Sequence, residues 1–572
     1  MPVQNVEIAE LFNRYADLLE IEDANPFRVR AYRNAARVVG GDSRSMADLL
    51  AQRRDLSELP GIGKDLAAKI AAIVATGRLP QLEEIEKRTP RALSELMQLP
   101  GLGPKRVKLL YRELKIRSHE DLLRAARSGK LAALPGFGAK TVQKILAGLE
   151  RAPTGPKRLL LADAEQLAAP LLAYLRKAPG VKTAEIAGSF RRRQETVGDL
   201  DILVISTRAA AVMQRFTRYD SVAEVLSQGD TRSSVRLRSG LQVDLRVVPA
   251  ESYGAALYYF TGSKAHNIAV RKLAVARKLK INEYGVYRGA KRVAGKSEAE
   301  LFKLLGMDYV PPELRENRGE IEAARKGRLP TLVTLDDIRG DLHSHTRETD
   351  GRDSLETMAA AARARGYEYL AVTDHSRHVT VARGMDAKRL RTQLAAIDRL
   401  NARYRGFRLL KSAEVDILED GALDLPDAVL QDLDLVVGAV HYKLDLPAAK
   451  QTRRLLRAMD NPYLNIIAHP SGRLINQRAP MDYDFERVAR VARERGCCLE
   501  VDSQPERLDL DDVHCKLAKE LGVRFAISSD AHSAGGLALI RHGVDQARRG
   551  WLEAGDVLNT LPLTKLLRAL KR

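Results

Sequence analysis

The segment from Gly188 to Ile205 places two aspartates at the start of an apolar run, and this pattern constrains the fold around it. Asp199 and Asp201 lead directly into the run that ends at Ile205. Because alternate residues of a strand face the same side, the two carboxylates should lie side by side. They repel each other unless a cation lies between them, and their oxygens suit a hard cation such as Mg²⁺. The segment therefore predicts a strand that begins at a metal site.

Two further features support a phosphate-transfer site. Asp244 lies in a second apolar run, Leu241–Val248. Three carboxylates on neighbouring strands can hold two metal ions for in-line attack at phosphorus. The tight turn at Gly188 and Ser189 offers amides and a hydroxyl to phosphate oxygens. A solvated hairpin with two exposed acids is the alternative, but it accounts for neither the Gly-Ser turn nor the third aspartate.

The charge of the chain is unevenly distributed. The 572 residues carry a formal net charge of +20. Residues 339–572 hold 37 of the 94 Lys and Arg residues and 34 of the 74 Asp and Glu residues, so residues 1–338 carry +17 of that charge. Such an excess suits a polyanionic partner such as a nucleic acid. Nine of the 11 histidines follow residue 339, so the two parts should carry different chemistry.

Composition excludes several classes of protein. The chain is 45% hydrophobic and 29% charged, and no apolar run approaches the roughly 20 residues of a membrane helix. Cys497, Cys498 and Cys515 form no CxxC pair, which disfavours a disulfide framework or a cysteine zinc site. The first residues show no signal-peptide pattern. We expect a cytoplasmic protein of several domains, with no membrane partner, that associates with the nucleoid when it binds DNA.

A five-residue motif, Leu-Pro-Gly-x-Gly, occurs three times in the first 150 residues, whose apolar spacing is otherwise helical. Its glycines are Gly61 and Gly63, Gly101 and Gly103, and Gly136 and Gly138. Two glycines allow a hairpin whose backbone approaches a ligand closely, and the next helix begins with free N–H groups that suit a phosphate. The motif resembles the helix-hairpin-helix, which binds the DNA backbone. Three ordinary interhelical turns are the alternative.

Single histidines and carboxylates follow short apolar runs throughout the C-terminal part of the chain. They are His343, His345, Asp350, His375, Glu414, His441, His469, Asp530 and His532. Repeated strand–helix units with polar residues at the strand ends predict a parallel αβ barrel whose site lies on that face. Imidazole and carboxylate ligands in this number suit two or three Mn²⁺, Zn²⁺ or Fe²⁺ ions, which can generate hydroxide and clamp a phosphodiester.

Gly188-Ser189 followed by Gly198-Asp199-Leu200-Asp201 resembles the nucleotidyltransferase signature of family X DNA polymerases. The segments Tyr259–Ser263 and Ile281–Tyr284 match that family as well. The resemblance implies that Asp199 and Asp201 bind both Mg²⁺ or Mn²⁺ ions and that Asp244 helps to deprotonate the primer 3′-hydroxyl. It implies nucleotide contacts from Gly188, Ser189, Arg192, Gly198, Tyr259, Phe260, Gly262 and Asn267.

The same resemblance extends to the DNA contacts. Arg271, Glu283 and Tyr284 match residues that couple subdomain closure to the nascent base pair. Arg28 and Tyr32 match positions of the pocket that holds the downstream 5′-phosphate in gapped DNA. Lys69 matches the lyase nucleophile of that domain, an amine that needs a lowered pKa to form a Schiff base.

The sequence departs from animal relatives in three places. Asp65 and Arg78 replace two lysines of the lyase domain, so a simple DNA-facing role for Lys69 remains the alternative to lyase activity. Gln242 stands where those relatives carry an arginine near the third aspartate. The third hairpin is an addition relative to them.

The C-terminal pattern resembles the PHP (polymerase and histidinol phosphatase) domain, and that resemblance implies three metal positions. The first is held by His343, His345, Glu414 and Asp530. The second is held by Glu414, His441 and His469, and the third by Asp350, His375 and His532.

We therefore predict a multidomain chain with a helical helix-hairpin-helix region, an α+β palm with a thumb, and a seven-stranded parallel αβ barrel of PHP type, similar to a distorted TIM barrel. The expected bounds are 1–85 for the 5′-phosphate domain, 86–152 for fingers with two further hairpins, 153–250 for the palm, 251–318 for the thumb, 319–337 for a linker and 338–572 for the barrel.

The expected activity is DNA-directed synthesis that fills short gaps in base-excision or end-joining repair, with 3′–5′ exonuclease, 3′-end processing and AP-endonuclease activity in the barrel. The expected partners are gapped or nicked double-stranded DNA and dNTPs, and the chain should act as a monomer. A template-independent nucleotidyltransferase is one alternative, against which the three hairpins and Ile281–Tyr284 argue. A non-catalytic DNA-binding scaffold is the other, against which the complete ligand sets argue.

The hairpins and the basic N-terminal half generate a binding prediction. Affinity should be highest for short gaps that carry a 5′-phosphate and should fall steeply as salt rises, because backbone contacts release counterions. Fluorescence anisotropy on a labelled gapped duplex at several salt concentrations measures this. The same duplex without the 5′-phosphate is the control, and equal affinity for the two would contradict the assignment of the N-terminal domain.

Overall fold

In the computed structural model the chain divides into two compact units, residues 1–157 and 158–572. The described residues are 5–41, 46–59, 61–90, 92–97, 102–135, 137–138, 142, 145, 158–237, 239–476 and 478–571. Gly101 and Gly136 of the predicted hairpins, and the proline-containing segment 152–156, lie outside them. None of the helices in these ranges combines the length and apolar character needed to cross a membrane.

The first unit is helical. Its described helices span Asn5–Ile21, Pro26–Gly41, Met46–Ala51, Lys64–Thr76, Pro80–Arg88, Ala92–Leu96, Pro104–Leu114 and His119–Arg127, with 3₁₀ turns at Leu56–Glu58 and Lys130–Ala133. Their apolar faces meet in one core that includes Phe12, Ile70 and Leu110. Three- and four-residue spacing of the apolar positions produces these faces, as the sequence predicts.

The repeated glycine motif has a buried centre and exposed edges. Its middle residue (Ile62, Leu102 or Phe137) is buried in the helical core each time. Gly63 and Gly103 are exposed N-caps of the helices that follow, and neither helix has a side-chain cap. The first-turn N–H groups therefore remain available to a phosphate.

The palm begins the second unit. Its strands are β1 Leu159–Leu160, β2 Val181–Ile186, β3 Thr196–Val197, β4 Asp199–Ser206, β5 Val222–Gln228, β6 Arg232–Leu237 and β7 Gln242–Val248. Five of them form a sheet in the order β2-β4-β7-β6-β5, in which only β4 and β7 are parallel. Helices Leu161–Arg176 and Ala209–Thr217 pack against one face of the sheet. The short helix Gly188–Arg191 follows β2.

The thumb comes next along the chain. It contains helices Tyr253–Thr261, Lys264–Ala276 and Glu298–Leu304 and the antiparallel strands β8 Lys280–Asn282, β9 Gly285–Arg288 and β10 Lys291–Ala294. The predicted linker 319–337 includes helix Glu320–Arg325 and a 3₁₀ turn at Leu335–Asp337. Glu320 is buried and lies 2.7 Å from His266 Nδ1. The segment is polar in composition, yet one of its acidic residues makes a buried contact with the thumb.

The C-terminal domain is a seven-stranded parallel barrel, as predicted. Its strands pair in chain order: β11 Gly340–Asp341, β12 Tyr369–Val372, β13 Arg408–Asp416, β14 Leu435–Ala439, β15 Leu464–Ile467, β16 Cys498–Asp502 and β17 Phe525–Ser528. The helices are Leu355–Ala364, Ala387–Asn401, Asp427–Leu430, Ala448–Met459, Phe485–Arg495, Asp512–Glu520, Ile540–Arg549 and Leu563–Leu570. Both faces of the strands are buried, which is why they appear in the sequence as unbroken apolar runs.

Side chains close the seam between β11 and β17. Ser529 N–H donates to Asp341 Oδ1 at 3.1 Å, and Ser344 forms an isolated bridge with Ala531. Asn559 is fully buried and spans the same seam: its Nδ2 donates to the carbonyls of Gly340 and Ile527, and its Oδ1 accepts from Ile527 N–H.

Asn559→Ala should lower the stability of the barrel by about 3 kcal/mol, because it leaves buried backbone groups of two strands without partners. The measurement is the Tm of the second unit by differential scanning calorimetry. Gln431→Ala, at an exposed position of the same domain, is the control and should leave Tm unchanged. Equal Tm values for the two variants would show that Asn559 does not hold the seam.

Candidate active sites of the palm and the barrel

The palm brings the three predicted carboxylates to one edge of its sheet. In the parallel pairing of β4 with β7, Asp201 lies directly opposite Asp244, and Asp199 lies opposite Gln242. Asp199 and Asp201 face the same side of β4, while Leu200 and Ile202 point into the core. Gln242 Nε2 donates to Asp244 Oδ1 at 3.3 Å, so the residue that replaces the arginine of animal relatives contacts the third carboxylate.

Electrostatic repulsion is strong at Asp201. Burial, and then the charges of Asp199 and Asp244, raise the pKa of Asp201 to about 7, although Arg246 and Arg192 oppose the change. Burial and Asp244 also raise the pKa of Asp199, against the opposing charge of Arg158. Carboxylates that are difficult to ionise beside each other form a donor set that fits hard divalent cations.

The predicted phosphate turn lies against this carboxylate edge. Gly188 has φ +65°, and a Cβ there would come 2.8 Å from Asp201 Oδ2, so this position requires glycine. Ser189 follows in the first turn of the short helix. Arg192 Nε donates to Glu316 Oε1 at 2.9 Å, a partner that the sequence did not indicate. A Cβ at Gly198 would lie 2.8 Å from Arg158 Nη1.

The predicted nucleotide contacts of the thumb lie beside the palm. The rings of Tyr259 and Phe260 meet edge-on at 5.1 Å, and Arg246 stacks over Phe260 at 4.4 Å. Asn267 Nδ2 donates to the Tyr259 carbonyl at 2.7 Å. A Cβ at Gly262 would come 3.2 Å from Arg192 Nη1. Arg271 and Tyr284 have exposed side chains, as DNA contacts require.

The predicted 5′-phosphate residues of the first unit differ in exposure. Arg28 is exposed and donates to the Tyr15 hydroxyl at 2.7 Å. Tyr32 is buried in the core, and the centre of its ring lies 5.7 Å from Lys69 Nζ. Burial acts to lower the pKa of Lys69, but hydrogen bonds to Asp65 and Tyr32 outweigh it, so the pKa is raised. A raised pKa is the opposite of what a Schiff-base nucleophile needs.

All nine predicted ligands of the barrel converge on one cluster at the C-terminal ends of the strands. His343 Nε2 lies 3.1 Å from His345 Nε2, and His345 Nε2 lies 3.0 Å from Asp530 Oδ1. Glu414 Oε2 lies 3.5 Å and 3.6 Å from the same two imidazole nitrogens. Separations of this size are those of ligands that share one ion at about 2.0–2.2 Å.

Glu414 connects this position to a second one. Its other oxygen, Oε1, lies 3.3 Å from His441 Nε2 and 3.1 Å from His469 Nε2. At the third position Asp350 Oδ2 lies 3.3 Å from both His375 Nε2 and His532 Nε2. The arrangement is that of a carboxylate between two metal positions, with a third beside them.

Two carboxylates behind the cluster orient its histidines, and neither was predicted from the sequence. Glu500 Oε1 lies 2.8 Å from His343 Nδ1, and its Oε2 accepts from His469 N–H at 2.7 Å. Asp416 Oδ1 lies 2.9 Å from His441 Nδ1. Such partners turn the opposite ring nitrogen toward an ion. The available signal was a carboxylate inside each apolar strand, β13 and β16.

The barrel residues fit a cluster of metal ions. His345 Nδ1 is buried without a hydrogen-bond partner among the described residues, which is costly unless another group satisfies it. Burial acts to lower the pKa of His375, but Glu414 and Asp350 outweigh it and raise it to about 10. A cavity of about 250 Å³ opens over these ligands and is also lined by Arg507 and Val381.

Comparisons with known proteins cover the whole chain. Models of a helix-hairpin-helix domain, a SAM-like helix-hairpin-helix tandem and the DNA polymerase beta thumb match residues 3–79, 93–151 and 256–316. The DNA polymerase/3'-5' exonuclease PolX of Bacillus subtilis (strain 168) is 37% identical over 570 residues, 99% of each chain. A probable phosphatase of Syntrophotalea carbinolica is 30% identical over 230 residues, 38% of this chain and 90% of the relative. DNA polymerase lambda of Rattus norvegicus is 26% identical over 293 residues, 46% of this chain and 48% of the relative.

The fold and the two sites define a nucleotidyltransferase palm joined to a metal-dependent phosphoesterase barrel. The 37% identity to the Bacillus subtilis protein extends from the hairpins through the thumb to the last strand of the barrel. The chain belongs to the family X DNA polymerases, in the group that carries a C-terminal PHP domain.

The raised pKa of Asp201 generates a stability prediction. In the folded chain this carboxyl keeps its proton up to a pH of about 7, whereas in the unfolded chain it loses the proton near 3.8. The free energy of unfolding therefore falls as pH rises between these values. The loss of stability caused by the Asp201 carboxylate is complete above pH 7. Asp201→Asn removes it, so the variant should be more stable than the wild type by about 2–4 kcal/mol at pH 8 in EDTA.

Calorimetric Tm values at pH 5 and pH 8 test this, and the advantage of Asp201→Asn should be larger at pH 8. Added Mg²⁺ should raise the Tm of the wild type more than that of the variant. Asp230→Asn, at an exposed position of the same sheet domain, is the control. An advantage that is equal at both pH values would show that repulsion at Asp201 is not its source.

Proposed function

We propose that this chain is a DNA-directed DNA polymerase that fills short gaps during DNA repair and that also carries a 3′–5′ exonuclease. The observation that carries the proposal is the presence in one unit of two separate groups of side chains that share no residue: three palm carboxylates, and nine barrel histidines and carboxylates. The first suits in-line attack of a 3′-hydroxyl at phosphorus, and the second suits hydrolysis of a phosphodiester.

In synthesis, Asp199 and Asp201 would hold the divalent ions, and Asp244 would accept the proton of the primer 3′-hydroxyl. Bound ions supply charge neutralisation for the transferring phosphoryl group. Ser189 and Arg192 would hold the triphosphate, and the Tyr259–Gly262 turn would pack on the nucleotide sugar. We propose Mg²⁺ or Mn²⁺ as the ions, because carboxylate oxygens are their usual ligands.

In degradation, the barrel would hold two or three Mn²⁺, Zn²⁺ or Fe²⁺ ions, which lower the pKa of a bound water. Glu414 would fix the separation of two ligand sets, and Glu500 would fix the ring of His343 and the backbone of His469. The cavity over these ligands would receive the terminal phosphodiester, and Arg507 in its wall would meet a phosphate oxygen. Removal of blocked 3′ ends and cleavage at abasic sites are further reactions of this chemistry.

In DNA binding, the exposed helix N-termini of the hairpins and Arg28 would contact the backbone of gapped or nicked duplex. The ion pair of Lys69 with Asp65 favours a DNA-facing role for that lysine over lyase activity. We further propose that the chain acts as a monomer in the cytoplasm with dNTPs as substrates.

Reciprocal substitutions test the proposal on one labelled gapped substrate. Asp199→Ala with Asp201→Ala should abolish primer extension and leave 3′ degradation intact. Glu414→Gln or His343→Ala should remove degradation while extension of an unblocked primer continues. The physical reason is that each pair of changes removes ligands from one site only.

Each variant is the control for the other, because the retained activity shows that the chain is folded. After chelation, Mn²⁺ should restore degradation better than Mg²⁺, because imidazole ligands suit Mn²⁺. Extension by the double aspartate variant would refute the palm assignment. Near-normal degradation by either barrel variant would refute the exonuclease assignment.

A further inference from the structure

Charged side chains join the palm, thumb and barrel at one short turn of the nucleotide site. This arginine turn, residues 189–193, begins at Ser189 and continues into three consecutive arginines. Each arginine reaches an acidic residue on a different element of the second unit. The pairs are Arg191 with Glu298 (2.8 Å), Arg192 with Glu316 (2.9 Å) and Arg193 with Asp545 (2.5 Å).

The guanidinium of Arg192 is held beside the palm carboxylates. Its Nε donates to Glu316, and its Nη1 donates to the Thr261 carbonyl at 2.5 Å. Its Nη2 has no hydrogen-bond partner in the part of the chain that the structure describes. The group is close enough to Asp201 for the two charges to interact. Two nitrogens held by hydrogen bonds and a third that still offers its N–H groups are the arrangement expected of an arginine prepared to bind a phosphate oxygen.

A barrel residue, Arg549, fixes Arg192 from behind. Its side chain is 2% exposed, and its Nη1 donates to the Arg192 backbone carbonyl at 2.7 Å and to Glu316 Oε1 at 3.3 Å. Its Nη2 pairs with Asp512, which also accepts from Arg318 at 2.8 Å. Arg549 therefore holds both the backbone of Arg192 and the acid that orients its side chain.

Arg549 belongs to a charged face of helix Ile540–Arg549. Arg541, Asp545 and Arg549 are spaced four residues apart, so they lie on one side of the helix, toward the palm. Asp545 meets Arg193, and Arg541 pairs with Glu165 of the palm. Of these side chains Arg549 is the buried one, and moving it from its partners would be costly because a buried charge would be left unpaired.

We propose that Arg549 is a positioning residue of the polymerase site, and that it orients Arg192 toward the triphosphate of the incoming dNTP. The inference rests on the proposed polymerase function. The barrel thus has a second role, separate from its own metal cluster: it forms the rear support of the nucleotide-binding turn.

The test compares Arg549→Met with Arg548→Met in filling of a one-nucleotide gap. Arg548 is the next residue of the helix and also pairs across domains, with Glu313 at 2.9 Å and the Val333 carbonyl at 3.0 Å, but not with the arginine turn. Arg549→Met should raise the dNTP KM about tenfold and change kcat less than about twofold, the signature of lost ground-state binding. Arg549→Lys should lie between this variant and the wild type. Arg548→Met should keep the wild-type KM.

Degradation of a 3′ end by the same preparations verifies that the barrel is folded. Equal KM values for the two methionine variants, or a loss of kcat at unchanged KM, would overturn the proposal. If Arg549→Met does not fold, Arg549→Lys alone is compared with the wild type, and an unchanged KM would overturn the proposal. A wild type that incorporates no dNTP would overturn the proposed function and this inference together, whereas an active wild type with unaltered variants overturns this inference alone.

Discussion

The structure of the barrel depends on Glu414, a buried carboxylate whose two oxygens face different groups of imidazoles. One oxygen faces His343, His345 and His375, and the other faces His441 and His469. A single buried charge cannot satisfy so many ring nitrogens by hydrogen bonding alone. Cations between the ligands would satisfy all of them, and the strands must then end at one height around the barrel. Seven parallel strands that meet at their C-terminal ends fulfil this requirement.

The palm also depends on cations, because its site consists of carboxylates alone. Its three carboxylates are held together by the pairing of β4 with β7, and their repulsion opposes folding until a cation arrives. Repulsion between the carboxylates therefore lowers the free energy of unfolding until metal and nucleotide bind, and such local destabilisation is common at functional sites. Gly188 shows how little space this leaves, because a single added carbon would meet Asp201.

Much of this was accessible from the sequence. Alternation along a strand placed Asp199 and Asp201 on one side, and short apolar runs followed by polar residues predicted the parallel barrel, although not each of its seven strands. The missing information lies in contacts between distant segments. Nothing near Arg192 indicates Glu316 or Arg549, because no local period links residues more than 100 positions apart. Tyr32 matched a phosphate pocket by position, yet its ring is buried between Tyr15 and Phe12. The helix Glu320–Arg325 was missed because a polar segment without a long apolar face has the composition of a linker.

The ion pairs between palm and barrel determine what the two sites can do together. Arg193 with Asp545 and Arg473 with Glu195 join partly buried side chains across that boundary, and Arg549 with Glu316 joins buried side chains of barrel and thumb. Separating such pairs would leave charges without partners in poorly hydrated surroundings, which is costly. The two domains should therefore keep one relative geometry during both reactions. Since the two ligand sets share no residue, a primer end must move from one site to the other, either along the protein surface or by release and rebinding.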